Sequence, residues 1–289
     1  MVCALAPCAM AHTGEPIEPH DLWAAWSFDP GIVIPLVILA VLYARGARRR
    51  RGVRGWEALA FAAGWLTLVV ALVSPVHPLG EALFSAHMTQ HELLMVIAAP
   101  LLVLGRPLAP LLWGLPMSWR RGLGAFAKTR PVERVWRWLT EPVVAWSLHA
   151  VVLWGWHMPL LFQATLTSDL VHSAQHLSFL VSALLFWWAL LRGREAHMGR
   201  GMAVLYIFTT AIHTSVLGAL LTFSPVVWYP AYAQTAPQWG FTALEDQQLG
   251  GLIMWVPAGL TYVIAGLALV VRWIRESEYR VLAREGERV

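Results

Sequence analysis

Long apolar stretches separated by short polar connections dominate the chain. A helix needs roughly 20 apolar residues to cross about 30 Å of hydrocarbon. Seven runs approach that length, near residues 30–45, 56–76, 79–104, 141–158, 169–191, 202–224 and 248–271. This pattern predicts an all-α, polytopic transmembrane bundle of about seven spans over residues 30–273. A tail over 1–29 precedes the bundle and a second tail over 274–289 follows it.

The charges orient these elements, because Lys and Arg concentrate in the cytoplasmic loops of membrane proteins. Arg45, Arg48, Arg49, Arg50, Arg51 and Arg54 follow the first run. Arg106, Arg120, Arg121, Lys128, Arg130, Arg134 and Arg137 fill the connection after the third. Arg192, Arg194 and Arg200 follow the fifth, and Arg272, Arg275, Arg280, Arg284 and Arg288 follow the seventh. Together these are all 21 basic residues of the chain. The first tail and the alternate loops have none, which predicts an outer N-terminus and an inner C-terminus. The opposite loops instead hold His77, His157, Asp169, Glu245 and Asp246, so a cation approaching from outside meets no positive barrier. Within the connection at 105–140, residues 132–139 read as a short surface helix.

Composition adds exclusions. With 58% apolar and 13% charged residues, the chain cannot cover a water-soluble domain. Seventeen Trp and six Tyr supply rings for interfacial belts as well as for packing. The net charge of +4 does not indicate a nucleic-acid partner, because the basic residues flank apolar runs and build no basic face with stacking aromatics. Cys3 and Cys8, the only two cysteines, lie in an apolar stretch ending Ala9-Met10-Ala11, which resembles a signal cleavage site without a basic leader region. A signal remnant and a plain tail both remain open. Cleavage after Ala11 would leave His12 as an N-terminal residue able to chelate a metal.

Inside the spans, one polar pattern occurs twice. His87-Met88-Thr89-Gln90-His91 in the third run and His172-Ser173-Ala174-Gln175-His176 in the fifth share the order His, two residues, Gln, His. His77-Pro78 precedes the first copy and His157-Met158-Pro159 precedes the second, which suggests a weak internal repeat of helix pairs. On a helix, positions i, i+3 and i+4 share a face, so each motif aims two imidazoles and an amide at one neighbour. Ionisable side chains inside spans are costly and usually mark function. His87, His91, His172 and His176 are therefore the first candidate ligands. His213 follows, then Met254 as a soft sulfur donor, with Gln90, Gln175 and Asp246 orienting them from behind.

Imidazole with an occasional thioether suits copper, Cu(I) in particular, whereas zinc favours thiolate or carboxylate mixtures. Bis-histidine ligation of haem b in an electron carrier, a proton relay through buried His, Asp and Glu, and simple hydrogen bonding between helices are the alternatives, with Glu92 a candidate partner behind the ligands or between helices. The sequence shows no phosphate-cradling loop, Ser-His-Asp set or paired-carboxylate site, so enzymatic activity is not expected.

The chain also resembles the multi-spanning CtaG family of cytochrome c oxidase assembly factors. His87-Met-Thr-Gln-His91 followed by Ala99-Pro100-Leu101-Leu102-Val103-Leu104-Gly105-Arg106-Pro107 carries the resemblance. Trp156-His157-Met158-Pro159, His172-Ser-Ala-Gln-His176-Leu177-Ser178-Phe179, Leu217-Gly218-Ala219-Leu220 and Asp246-Gln247-Gln248-Leu249-Gly250-Gly251 support it, over roughly Asp21 to Trp273. The resemblance implies an accessory protein of the bacterial plasma membrane that helps mature a haem-copper oxidase. Its implied partner is the oxidase's catalytic subunit, and a periplasmic copper donor is a further candidate.

Overall fold

The computed structural model describes residues 17–50, 52–192 and 198–286, and every regular element among them is helical. Cys3, Cys8 and His12, and with them the signal reading, lie outside the described residues, as do Arg51, Arg194 and Arg288. Among the described residues, six helices are long and apolar enough to cross a membrane, and a bent pair makes up to seven.

Helix α1 (Pro30–Arg49) starts where Asp29 accepts a hydrogen bond from the Gly31 N–H at 2.7 Å, with Pro30 in the first turn where its missing N–H costs nothing. Helices α2 (Gly55–Leu72) and α3 (Val76–Ala82) together form the second crossing. The third runs through α4 (Phe84–Glu92), a π-helical segment (Leu93–Ala98) and α5 (Ala99–Leu104). The boundary between these crossings therefore lies at Leu83, which is extended (φ −131°, ψ 130°), and not at 76–79 as hydrophobicity suggests. The short α6 (Leu108–Gly114), α7 (Met117–Ala127) and α8 (Arg130–Leu139) fill the basic connection, and α8 contains the expected surface helix. Helices α9 (Pro142–Trp156) and α10 (Pro159–Thr167) are the bent pair, and α11 (Asp169–Arg192), α12 (Arg200–Thr222) and α13 (Ala243–Gly286) complete the bundle.

Three irregularities have local causes. The 72° bend between α9 and α10 falls at Met158, because Pro159 disfavours helical backbone in the residue before it. In the π-helical segment the Ala99 N–H bonds back to Leu94 and Pro100 has no N–H to offer, so the Met95 carbonyl lacks a backbone donor. The Trp187 indole of α11 donates to it at 2.9 Å. At the start of α13, Thr242 and Glu245 form a reciprocal cap: the Thr242 N–H and hydroxyl donate to the carboxylate at 2.8 Å, and the Glu245 N–H donates to the hydroxyl at 3.2 Å.

Packing follows the small residues. Helices α12 and α13 meet where a Cβ on Gly251 would lie 2.6 Å from the Thr222 backbone nitrogen, so only glycine allows that approach. Outward-facing positions remain apolar, as with Val37, Ile38 and Val41 on α1 and Leu260, Val263 and Leu267 on α13. Such faces suit hydrocarbon, and the buried faces make up the core.

Candidate metal centre

The polar interior gathers at one end of the bundle, where α3, α4, the α9–α10 bend, the start of α11 and the start of α13 converge. The Asp246 carboxylate of α13 fastens this region. It accepts from the Phe84 and Ser85 N–H groups at 2.6 and 3.1 Å and from the Ser85 hydroxyl at 2.5 Å. A carboxylate at a helix N-terminus satisfies donors that the helix cannot and matches its dipole. Asp246 therefore holds α4, the helix that carries His87 and His91. It touches neither imidazole, which corrects its expected place directly behind the ligands.

The two sequence motifs do meet. Ring centroids of His87 and His91 lie 4.4 Å apart, as do those of His172 and His176. Across the helix interface, His87 lies 5.3 Å from His172 and 5.7 Å from His176, and His91 lies 5.4 Å from His176. Two residues assigned to outer loops join them. His77 sits on α3 with its ring 5.4 Å from His172 and 6.0 Å from His176. His157, at the bend, lies 6.2 Å from His91. All six are buried, and Phe162 and Phe179 wall the cluster at 5.1 and 4.5 Å from His87 and His91. The sequence did hold a signal for both added residues: a His followed by Pro upstream of each motif. Hydrophobicity placed them outside because it does not register a bend that turns a short helix back into the bundle.

Ligand nitrogens converge in two groups. Those of His87, His91 and His176 lie within 4.8 Å of one another, and so do those of His77, His172 and His176. Surrounding bonds set several tautomers. His87 Nδ1 lies 3.3 Å from the Gly80 carbonyl and His157 Nδ1 lies 2.7 Å from the Leu153 carbonyl, so each donates there and turns an Nε2 lone pair inward. Gln175 Oε1 lies 3.1 Å from His87 Nε2 while its own Nε2 has no partner. Two acceptors cannot bond, so with a neutral His87 the amide N–H faces the ring nitrogen, a rotation that also gives Gln175 Nε2 its partner. The Gln90 amide donates to the Ala71 carbonyl at 2.7 Å and to His77 Nδ1 at 2.8 Å.

What remains is unusual for a buried site. Both ring nitrogens of His91 and Nε2 of His157, His172 and His176 have no hydrogen-bond partner. Leaving a buried polar group unpaired costs about 1–3 kcal/mol; a neutral His91 keeps one N–H, so these five atoms offer at most four lone pairs, which fits residues arranged to donate to a cation. Tyr229 and Tyr232, from the α12–α13 connection, pack on Phe84 and on Phe162, which borders the cluster. Their hydroxyls donate to the His157 carbonyl at 2.8 Å and the Gly80 carbonyl at 3.0 Å. Burial raises both above the usual phenol range, which keeps them as donors.

His213 and Met254 are not brought into this cluster. The His213 ring stands edge-on to Trp146 at 5.4 Å, and Met254 lies in the apolar core with Met88 and Met95. Hydrophobic contacts account for the position of Met254, and the register of α12 turns His213 toward α9. His149, also on α9, pairs with the Ser182 hydroxyl at 3.2 Å. Glu92, half-buried on α4 next to His91, has its Oε2 buried without a hydrogen-bond partner.

The fold and this site define a polytopic helical membrane protein with an interior polyhistidine centre. The sequence profile of the cytochrome c oxidase caa3 assembly factor family matches residues 41–276, and the chain belongs to that family. It is 32% identical over 275 residues to uncharacterized proteins of Mycobacterium bovis and Mycobacterium tuberculosis, covering 90% of this chain and 41% of each relative. A third uncharacterized protein, from Mycobacterium leprae, is 29% identical over 94% of this chain and 42% of its own length. The chain thus spans about two fifths of the curated relatives it matches. No solved structure matches it.

Proposed function

We propose that the chain binds Cu(I) as cargo at the histidine cluster and passes it to the catalytic subunit of a haem-copper oxidase during assembly, in the bacterial plasma membrane. The observation that carries this reading is the convergence of the His87, His91 and His176 ligand nitrogens within 4.8 Å inside the bundle. Neutral imidazoles supply lone pairs without adding charge, so a bound Cu(I) leaves the site at a single positive charge. A divalent ion would bring twice that charge into a low-dielectric interior with no carboxylate in the trio to offset it, at a much larger desolvation cost. Zinc sites usually recruit anionic ligands for that reason.

The chain's residues serve this cargo in distinct ways. The Gly80 and Leu153 carbonyls hold His87 and His157 in the tautomer that leaves Nε2 available, and Gln175 occupies His87 Nε2 until a metal displaces it. Phe162, Phe179 and the two tyrosines exclude water. Exchangeable imidazoles, with no thiolate to trap the ion, suit delivery more than storage. The rings contact one another directly, which leaves no slot between them for a porphyrin and favours a small ion over haem.

The decisive experiment purifies the protein from copper-replete cells, measures bound metal and visible spectrum, and repeats both on the His87→Ala, His176→Ala double variant. Copper in the parent, lost in the variant together with oxidase maturation, is the expected result. Unchanged copper in the variant removes the assignment, and a Soret band with stoichiometric iron replaces copper with haem.

A further inference from the structure

Two trios that share one histidine imply more than one resting place for the metal. Imidazole nitrogens stand about 2 Å from a bound zinc ion, and at a similar distance from Cu(I) the nitrogens around one ion fall within about 4 Å of each other. His77 and His91 belong to different trios, with His176 common to both. The trios differ in depth. His87 and His91 retain 0% and 1% of their surface, whereas His77, His172 and His176 keep 8%, 7% and 7%. The buried nitrogen of His176 that has no protein partner is Nε2, and one nitrogen has one lone pair to give.

Resting on the copper reading above, we propose that a single Cu(I) alternates between an outer position on His77, His172 and His176 and an inner position on His87, His91 and His176. His176 stays bound while the other two ligands exchange, so the ion moves inward without ever being bare. No electron changes hands, and the coordination bonds formed equal those broken. Occupying the outer position asks more of the protein, because His77 Nδ1 already accepts from the Gln90 amide at 2.8 Å. The outer trio is therefore the exchangeable one and the inner trio the retaining one, as a one-ion relay from the bundle's end to its interior requires.

The test uses full-length protein in nanodiscs under anaerobic conditions. Cu(I) stoichiometry comes from titration against a chromogenic chelator, and release rates come from mixing loaded protein with a water-soluble Cu(I) chelator. The parent should bind one equivalent. His91→Gln should also bind one but release it at least about tenfold faster, since removing a ligand costs no less than removing the support of one. His77→Gln should bind one and release it more slowly than the parent, and His176→Gln should fail to retain it. X-ray absorption of the parent, which needs no variant, should give three imidazole nitrogens and no neighbouring copper. Two equivalents in the parent, a copper–copper vector, or parental release rates in both His91→Gln and His77→Gln would overturn the relay while leaving copper binding intact. A parent that binds no Cu(I) overturns the underlying reading itself.

Discussion

Gln175 and Asp246 both act on His87 but by different physics. The Gln175 amide competes for the Nε2 that would bind metal, so Gln175→Ala should raise Cu(I) affinity by up to about tenfold, the net worth of one displaced hydrogen bond, while leaving stoichiometry unchanged, as competition with a Cu(I) chelator would measure. Asp246 instead closes the N-terminus of α4 with three hydrogen bonds. Asp246→Ala should cost about 1–2 kcal/mol of stability in denaturant unfolding, the usual magnitude for a lost helix cap, and Asp246→Asn should recover part of it because the amide oxygen still accepts. Equal destabilisation by the two substitutions would contradict that account. Both residues were candidates from sequence because they sit beside the histidine motifs or open a span. Sequence spacing cannot show that Asp246 reaches the start of a helix more than 160 positions earlier, since that contact exists only after α13 has packed on α4.

At the scale of elements, the departures from regular helix are what build the site. Leu83 breaks the chain so that α3 folds His77 back over α4, and Pro159 breaks the next crossing so that His157 faces inward. The π-helical segment just beyond His91 survives because Trp187 supplies the donor that Pro100 cannot. Trp187→Phe should therefore cost about 1–3 kcal/mol, the penalty for a buried carbonyl left unpaired, read as a lower midpoint in thermal unfolding. An unchanged midpoint would mean that the carbonyl finds another donor. Pro159 was visible in the sequence as a helix breaker, but the direction of the resulting 72° bend was not, because a broken helix can turn several ways and packing against α11 and the tyrosines selects one.

For the molecule as a whole, the segregation of basic residues predicts which end faces the cytoplasm. With Cys3 and Cys8 replaced, Gln234→Cys in the α12–α13 connection should react with a membrane-impermeant maleimide on intact cells. Leu123→Cys on α7, in the basic connection, should react only after permeabilisation. The reverse pattern would place the histidine end inside and require copper to arrive from the cytoplasm.

Apolar run length and the placement of all 21 basic residues are one-dimensional properties, because bilayer thickness and the positive-inside bias act on the chain locally. From them the helical class, the number of crossings and the expected orientation could be read, and the doubled His-x-x-Gln-His pattern marked two helices whose faces carry ligands. Tertiary structure alone decided that these faces meet, that His77 and His157 turn in to join them, and that His213 and Met254 do not. Those outcomes depend on helix breaks, on register between helices distant in the chain, and on which buried nitrogens find partners. They belong to packing in three dimensions: the His and Pro upstream of each motif mark the breaks, but which way a break turns is not a local property.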